Sequence, residues 1–196
     1  MLPAIEPKRL TGTEPLLAPD GKQLSNLLGF WQWAYSDLVS NAERGALAEY
    51  IVACALGIAH SERIAWDKYD LRSAEGIAIE VKTSGYLQTW RQTSLSKPIF
   101  GIQPTHAWDG KTNEYASEKK RQSDIYVFCL HKHTDQETVN PLDISQWTFY
   151  LMPTPILNEK FGAQKSVSLA SLLKAGAEQC CYDMLKKRIP ELAKHT

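Results

Sequence analysis

Between Tyr69 and Lys82 the chain reads YDLRSAEGIAIEVK, and few folds accommodate that stretch. Ile77, Ile79 and Val81 alternate with Ala78, Glu80 and Lys82, the period of a strand with one buried face. Gly76 stands just ahead of it, at the last position of a three-residue loop Ala74-Glu75-Gly76 that wants a positive φ. The spacing predicts a hairpin centred on Glu75 that pairs Ile64–Asp70 with Ile77–Lys82. In this register Asp70 lies opposite Glu80, with Cβ atoms about 5 Å apart on one face. Lys82 shares that face, while Ile77, Ile79 and Val81 point into the core. Asp67 falls on the other face and is a poor partner for the pair.

Two carboxylates set face to face repel unless a cation stands between them. Donors that are all oxygen suit Mg²⁺ or Mn²⁺ better than zinc. Lys82 beside such a site orients the attacking water and favours its hydroxide form. Phosphodiester cleavage needs that nucleophile at neutral pH, and positive charge on the developing phosphorane. The same spacing also fits a surface hairpin with a Lys–Glu salt bridge and no chemistry.

The remaining sequence frames this hairpin. With 196 residues, 43% of them apolar and 22% charged, the chain has the makings of a globular protein. Residues 1–36 read as a proline-broken N-terminal arm and leading segment, and 37–196 as one domain. No stretch of eighteen apolar residues offers a membrane span, and the N-terminus lacks the pattern of a signal peptide. Cys54, Cys129, Cys180 and Cys181 form no CxxC pair and read as free thiols, three of them in apolar segments, in a cytoplasmic protein. Basic and acidic residues balance at 22 each, so affinity for nucleic acid has to come from a local patch.

Residues 41–56 have helical spacing and end at Gly57, with Ser40 and Glu43 placed as a capping box. Residues 124–130 and 146–152 are apolar strands, and 101–123 an excursion over the surface ending in Lys119, Lys120 and Arg121, which fit phosphate contacts and a solvated basic turn equally well. Helices are expected at Leu169–Ala175 and about 178–194. The fold class is therefore α/β, a mixed central sheet flanked by helices. His131 and His133 end a strand and read as exposed. Arg44 can contact phosphate or pair with Glu43.

Asp70 followed by Glu80-Val81-Lys82 after a short hairpin resembles the active-site signature of the PD-(D/E)XK nuclease superfamily, over roughly residues 41–130. The resemblance implies a restriction-endonuclease-like core of helix, antiparallel meander, helix and strand. It implies Asp70, Glu80 and Lys82 as the catalytic set, with the Val81 carbonyl as a further ligand of Mg²⁺ or Mn²⁺. Superfamily members also carry a helix glutamate at the metal, and Glu49 fits: its neighbours Gly45, Ala46, Val52 and Ala53 form a packing face on which an unpaired carboxylate is costly. Ser84 and Gln88 correspond to polar residues on the substrate side. Tyr86 and Trp90 can stack on a base, although such spacing more often marks core. The expectation is a Mg²⁺-dependent nuclease acting on DNA, an endonuclease in preference to an exonuclease, alone, as a homodimer or in a larger nuclease complex. Its alternative is a nuclease-fold subunit that binds nucleic acid or a partner without cutting.

Overall fold

Alternating apolar residues build the central layer of the protein, a computed structural model that describes residues 5, 7–60, 63, 68–109 and 114–194. In chain order the elements are β1 (Pro15–Leu17), β2 (Gln23–Asn26), α1 (Leu27–Tyr35), α2 (Asn41–Leu56), β3 (Leu71–Arg72), β4 (Ala78–Gly85), β5 (Ile99–Gly101), β6 (Thr105–Asp109) and β7 (Glu114–Lys120). After these come β8 (Ile125–His131), β9 (Trp147–Pro153), α3 (Thr154–Phe161), β10 (Ser166–Ser168), α4 (Leu169–Lys174), β11 (Glu178–Cys180) and α5 (Tyr182–Ala193). The main sheet has the order β11-β9-β8-β4-β3, with β4 and β8 parallel and the other pairs antiparallel. This is the mixed sheet flanked by helices that the periodicity predicts.

Every residue of β8 is buried, because helices cover both faces of the sheet. On one face Ile79, Val81, Val127 and Phe149 pack against Ala48, Ile51 and Val52 of α2 and Leu185 and Ile189 of α5. On the other, Tyr126, Phe128 and Met152 meet Phe100 of β5, Leu157 of α3 and Leu172 of α4. Each fully buried Leu, Ile or Phe contributes about 1.5–3 kcal/mol. Small residues on α2 let it lie close to β4, and it stops at Gly57, whose φ of 74° permits its N–H to reach the Ala53 and Cys54 carbonyls.

Several local expectations give way. The leading segment holds the β1–β2 hairpin and α1 instead of an irregular arm. Ser40 bonds the Glu43 carboxylate through its hydroxyl, but the Ser40 N–H turns to Asp37, so the reciprocal capping box does not form. Strand pairing begins only at Leu71; residues 64–67 of the predicted first strand, Asp67 among them, lie outside the described residues. β4 reaches its parallel neighbour β8 through β5 and the two-stranded β6–β7 ribbon, with no helix among the described residues between them. Residues 178–180 form edge strand β11 ahead of the final helix. Lys119 and Lys120 are exposed, but Arg121 is buried, donating to the Ile102 carbonyl and to Asn158. All four cysteines are free thiols. Among the described residues no helix is long and apolar enough to cross a membrane.

Arg44, expected to meet phosphate or Glu43, is 2% exposed. Its guanidinium donates to the carbonyls of Val39 and Leu87 and to Asn41 Oδ1, joining the start of α2 to the loop beyond β4. Burial lowers its pKa. His131 lies beside it, fully buried against Trp147 where an exposed strand end was expected, while His133 is half-buried and hydrogen-bonded to Thr138. Burial, aided by the Arg44 charge, pushes the His131 imidazole down to about 4, so it is neutral at physiological pH. Arg44→Ala removes this donor from the carbonyls of half-buried Val39 and buried Leu87. The expected loss is about 2–4 kcal/mol, measurable as a lower urea midpoint with an unchanged slope.

Candidate active site

The hairpin register is the predicted one. Leu71 faces Ile79 and Arg72 faces Ala78, the Asp70 N–H donates to the Ile79 carbonyl, and Gly76 turns the loop at φ 89°. The register therefore carries Asp70 to a position opposite Glu80. Where the two-residue β3 ends, the Asp70 side chain continues the pairing: its Oδ2 accepts the Val81 N–H at 2.8 Å. A strand residue directs its N–H and C=O to the same side, so the Val81 carbonyl also leaves β4 toward Asp70.

Lys82 holds the two acids together. Its Nζ lies 2.5 Å from Glu80 Oε1 and 3.9 Å from Asp70 Oδ2, which limits the separation of those two oxygens to about 6.4 Å. All three side chains are half-buried. Burial, opposed by Lys82 and reinforced by Asp70 and Glu49, holds the Glu80 carboxyl above the ordinary carboxylate range. Burial lowers the affinity of Lys82 for its proton, but Glu80, Asp70 and Glu49 outweigh it, so the net shift is upward and the ammonium stays charged. Tyr126, beside Glu80 in the parallel register, has its phenol pKa raised by burial and by the Glu80 charge.

Glu49 lies on α2 with its carboxylate gripped in a two-pronged ion pair by Arg63, at 2.5 and 2.8 Å. The cost of a carboxylate on that packing face is thus met by an arginine, a partner fourteen residues away that the local pattern did not indicate. Ser84 is buried, its hydroxyl accepting the Ile99 N–H, so it anchors β5 and does not face solvent. Gln88 is half-buried and donates to the Gly85 carbonyl, leaving its own amide oxygen without a protein partner. Tyr86 packs on the core and Trp90 is exposed. Asp70, Glu80, Lys82 and the Val81 backbone come together; Glu49 flanks them, and Ser84 and Arg44 do not join.

A cavity of about 590 Å³ opens between α2 and β3 and reaches Asp70 and Glu49. Arg9, Arg63 and Arg72 line it alongside Tyr50 and Tyr69. Glu49, paired with Arg63, and Asp70 stand on the same wall, so the three arginines leave the lining with one positive charge in excess. Placed at 9, 63 and 72, these arginines form no cluster in the sequence.

Residues 29–171, which contain every residue of the acid–acid–lysine set, match the family model described as bacteriophage T4 endonuclease IV. The chain belongs to the bacteriophage T4 endonuclease IV family. No curated protein matches it. Membership in an endonuclease family supports the reading of the chain as a nuclease. Within this endonuclease IV-family chain, no three His, Cys, Asp or Glu side chains gather as a metal cluster among the described residues. A cation held here would thus draw on two carboxylates and a carbonyl, a donor set that Mg²⁺ accepts because it keeps several waters. The ammonium already standing between the acids marks where positive charge is stabilised, and in that sense the residues fit the ion.

A carboxyl whose folded-state pKa is raised adds stability below its unfolded value and loses it as pH climbs through the folded value. Removing the Glu80 charge therefore helps at high pH. In metal-free buffer Glu80→Gln is expected to melt above wild type at about pH 8, the difference closing as pH falls through the raised Glu80 value and gone below the ordinary carboxylate value of about 4.3. Thermal unfolding with chelator across that range checks the sign, and a lower melting temperature at the alkaline end contradicts the charge balance described here.

Proposed function

We propose that this chain is a Mg²⁺- or Mn²⁺-dependent endonuclease of the PD-(D/E)XK type that hydrolyses phosphodiester bonds of DNA. The observation that carries the reading is the Lys82 ammonium poised between the Asp70 and Glu80 carboxylates on one strand face. The endonuclease family match and the arginine-lined cavity beside Asp70 support it.

Asp70, Glu80 and the Val81 carbonyl would hold the ion, which when bound supplies charge at the phosphate and eases ionisation of water. Lys82 keeps its proton, and donates hydrogen bonds that orient the attacking water and stabilise charge developing on the phosphorane oxygens. Asp70 is held in place by the Val81 N–H, so it is presented without rotamer search. Glu49 reaches the ion only by exchanging Arg63, which suits it to a supporting role at the edge of the site. Arg9 and Arg72 contact the phosphates flanking the scissile one from the cavity wall, and Gln88 with its free amide oxygen lies nearer the loop side.

Cleavage of plasmid, linear duplex and single-stranded DNA, with Mg²⁺, with Mn²⁺ and with chelator, tests the proposal. Asp70→Ala and Lys82→Ala are expected to lower the rate by about 10²–10⁴-fold, as loss of a charge-stabilising or proton-handling group does. Glu49→Ala, already committed to Arg63, is expected to cost roughly tenfold or less. Full activity in Lys82→Ala, or cleavage undiminished by chelator, refutes the assignment. If wild type binds DNA with a steep salt dependence but cuts none of these substrates with either ion, the protein is a binding subunit instead.

A further inference from the structure

The β6–β7 ribbon is a two-stranded sheet of its own, and its strands pack on each other and on no other element to a comparable extent. Such a ribbon is marginally stable in water, yet its foot is firmly built. Arg121 is buried there and donates to the Ile102 carbonyl and to Asn158, while the Gln122 amide donates to the carbonyls of Thr105 and Lys120. Beyond this foot the ribbon is bare on its second strand, where every residue of β7 is exposed.

One face of the ribbon has the chemistry of a ligand surface. Trp108 lies opposite Tyr115 with ring centroids 4.8 Å apart, and Tyr115 is 65% exposed. His106 lies opposite Lys119. Between these two pairs β6 advances by two residues and β7 by four, both even, so the bulge leaves the pairs on the same face. His106 closes the gap by donating from Nδ1 to the Ala116 carbonyl. Glu114 and Glu118 each precede a residue of this face by one position, and alternation turns them to the other side.

We propose that this face is an arm that holds the DNA strand beside the candidate cut, its two rings taking bases and Lys119 a phosphate. The identity of the ligand rests on the nuclease reading above. Neighbouring rings offer a π-face that any base can use, and a lysine supplies the sequence-independent attraction to the backbone. Lys119 is exposed and forms no ion pair among the described residues, so its charge is available. The placement agrees. β7 runs through the foot into β8, where Tyr126 stands beside Glu80 and shares a core cluster with Ile102. Seven residues of chain separate Lys119 from Tyr126, a span of at most ~25 Å, which roots the arm next to the acid–acid–lysine set.

Fluorescence anisotropy of a labelled single-stranded oligonucleotide with the full chain, in chelator and over a range of salt, tests this without any cutting. Trp108→Ala is expected to weaken binding by roughly 5- to 150-fold, and Trp108→Phe to recover most of the loss. Lys119→Ala is expected to make the plot of log affinity against log salt shallower by about 0.7, the share of one phosphate contact. Glu114→Ala, on the opposite face, is expected not to weaken binding. None of these residues belongs to either core cluster, so the variants are expected to melt as wild type does. Wild-type affinity in Trp108→Ala, an unchanged salt slope in Lys119→Ala, or an equal loss in Glu114→Ala overturns the proposal, as does a wild type that binds no DNA. If wild type cuts DNA and the ribbon variants bind it undiminished, the arm falls and the nuclease reading stands. If wild type binds through the ribbon and cuts nothing, the arm stands and the nuclease reading falls.

Discussion

Two carboxylates and one ammonium share a half-buried strand face, and the balance among them governs the candidate site. Burial, reinforced by the facing Asp70 and opposed by Lys82, makes Glu80 hold its proton more tightly than a solvent-exposed carboxyl does. Lys82 relieves the repulsion without removing it. Structural stability by itself favours neutralising one of the acids. The proposed function gives a reason to keep both, because a cation bound there would offset the repulsion.

The scaffold makes the imbalance tolerable. β4 lies between β8, buried on both faces, and the short edge strand β3, so it has a rigid neighbour on one side and an accessible one on the other. Glu80 and Lys82 project on the face opposite α2, whereas Ile79 and Val81 anchor the strand against that helix. Arg44 adds a second fixture by tying the start of α2 to the chain leaving β4. The candidate site's side chains thus stand on well-packed backbone, while the edge toward Asp70 stays open to the cavity.

The hairpin register was legible because period-two alternation and a glycine turn specify it locally, and Asp70, Glu80 and Lys82 follow from it. Strands β4, β8 and β9 were legible from their apolar runs, whereas edge strand β11 read as the start of the last helix. Partnerships over long sequence distance were not. Arg63 reaches Glu49 across fourteen residues, and Arg121 and Arg44 look like surface cations until tertiary packing supplies carbonyl acceptors. His131 looked exposed because it ends a strand, but Trp147 on the neighbouring strand covers it. Helix α1 was missed because its aromatic-rich sequence has Gln32 as its one polar side chain and so no polar face to give a helical period.

The hydrogen bond from the Val81 amide to Asp70 has a further meaning. Backbone pairing between β3 and β4 covers only two residues on the short strand, and the ladder is prolonged by a side chain that the proposed chemistry also needs. Edge strands are where sheets open first. Fraying of this edge would withdraw the carboxylate and unlatch the amide in one motion, so structural order at the margin and readiness of the site are the same event. The slowness with which the Val81 amide proton exchanges with solvent is, in this chain, a measure of how much of the time the carboxylate is in position.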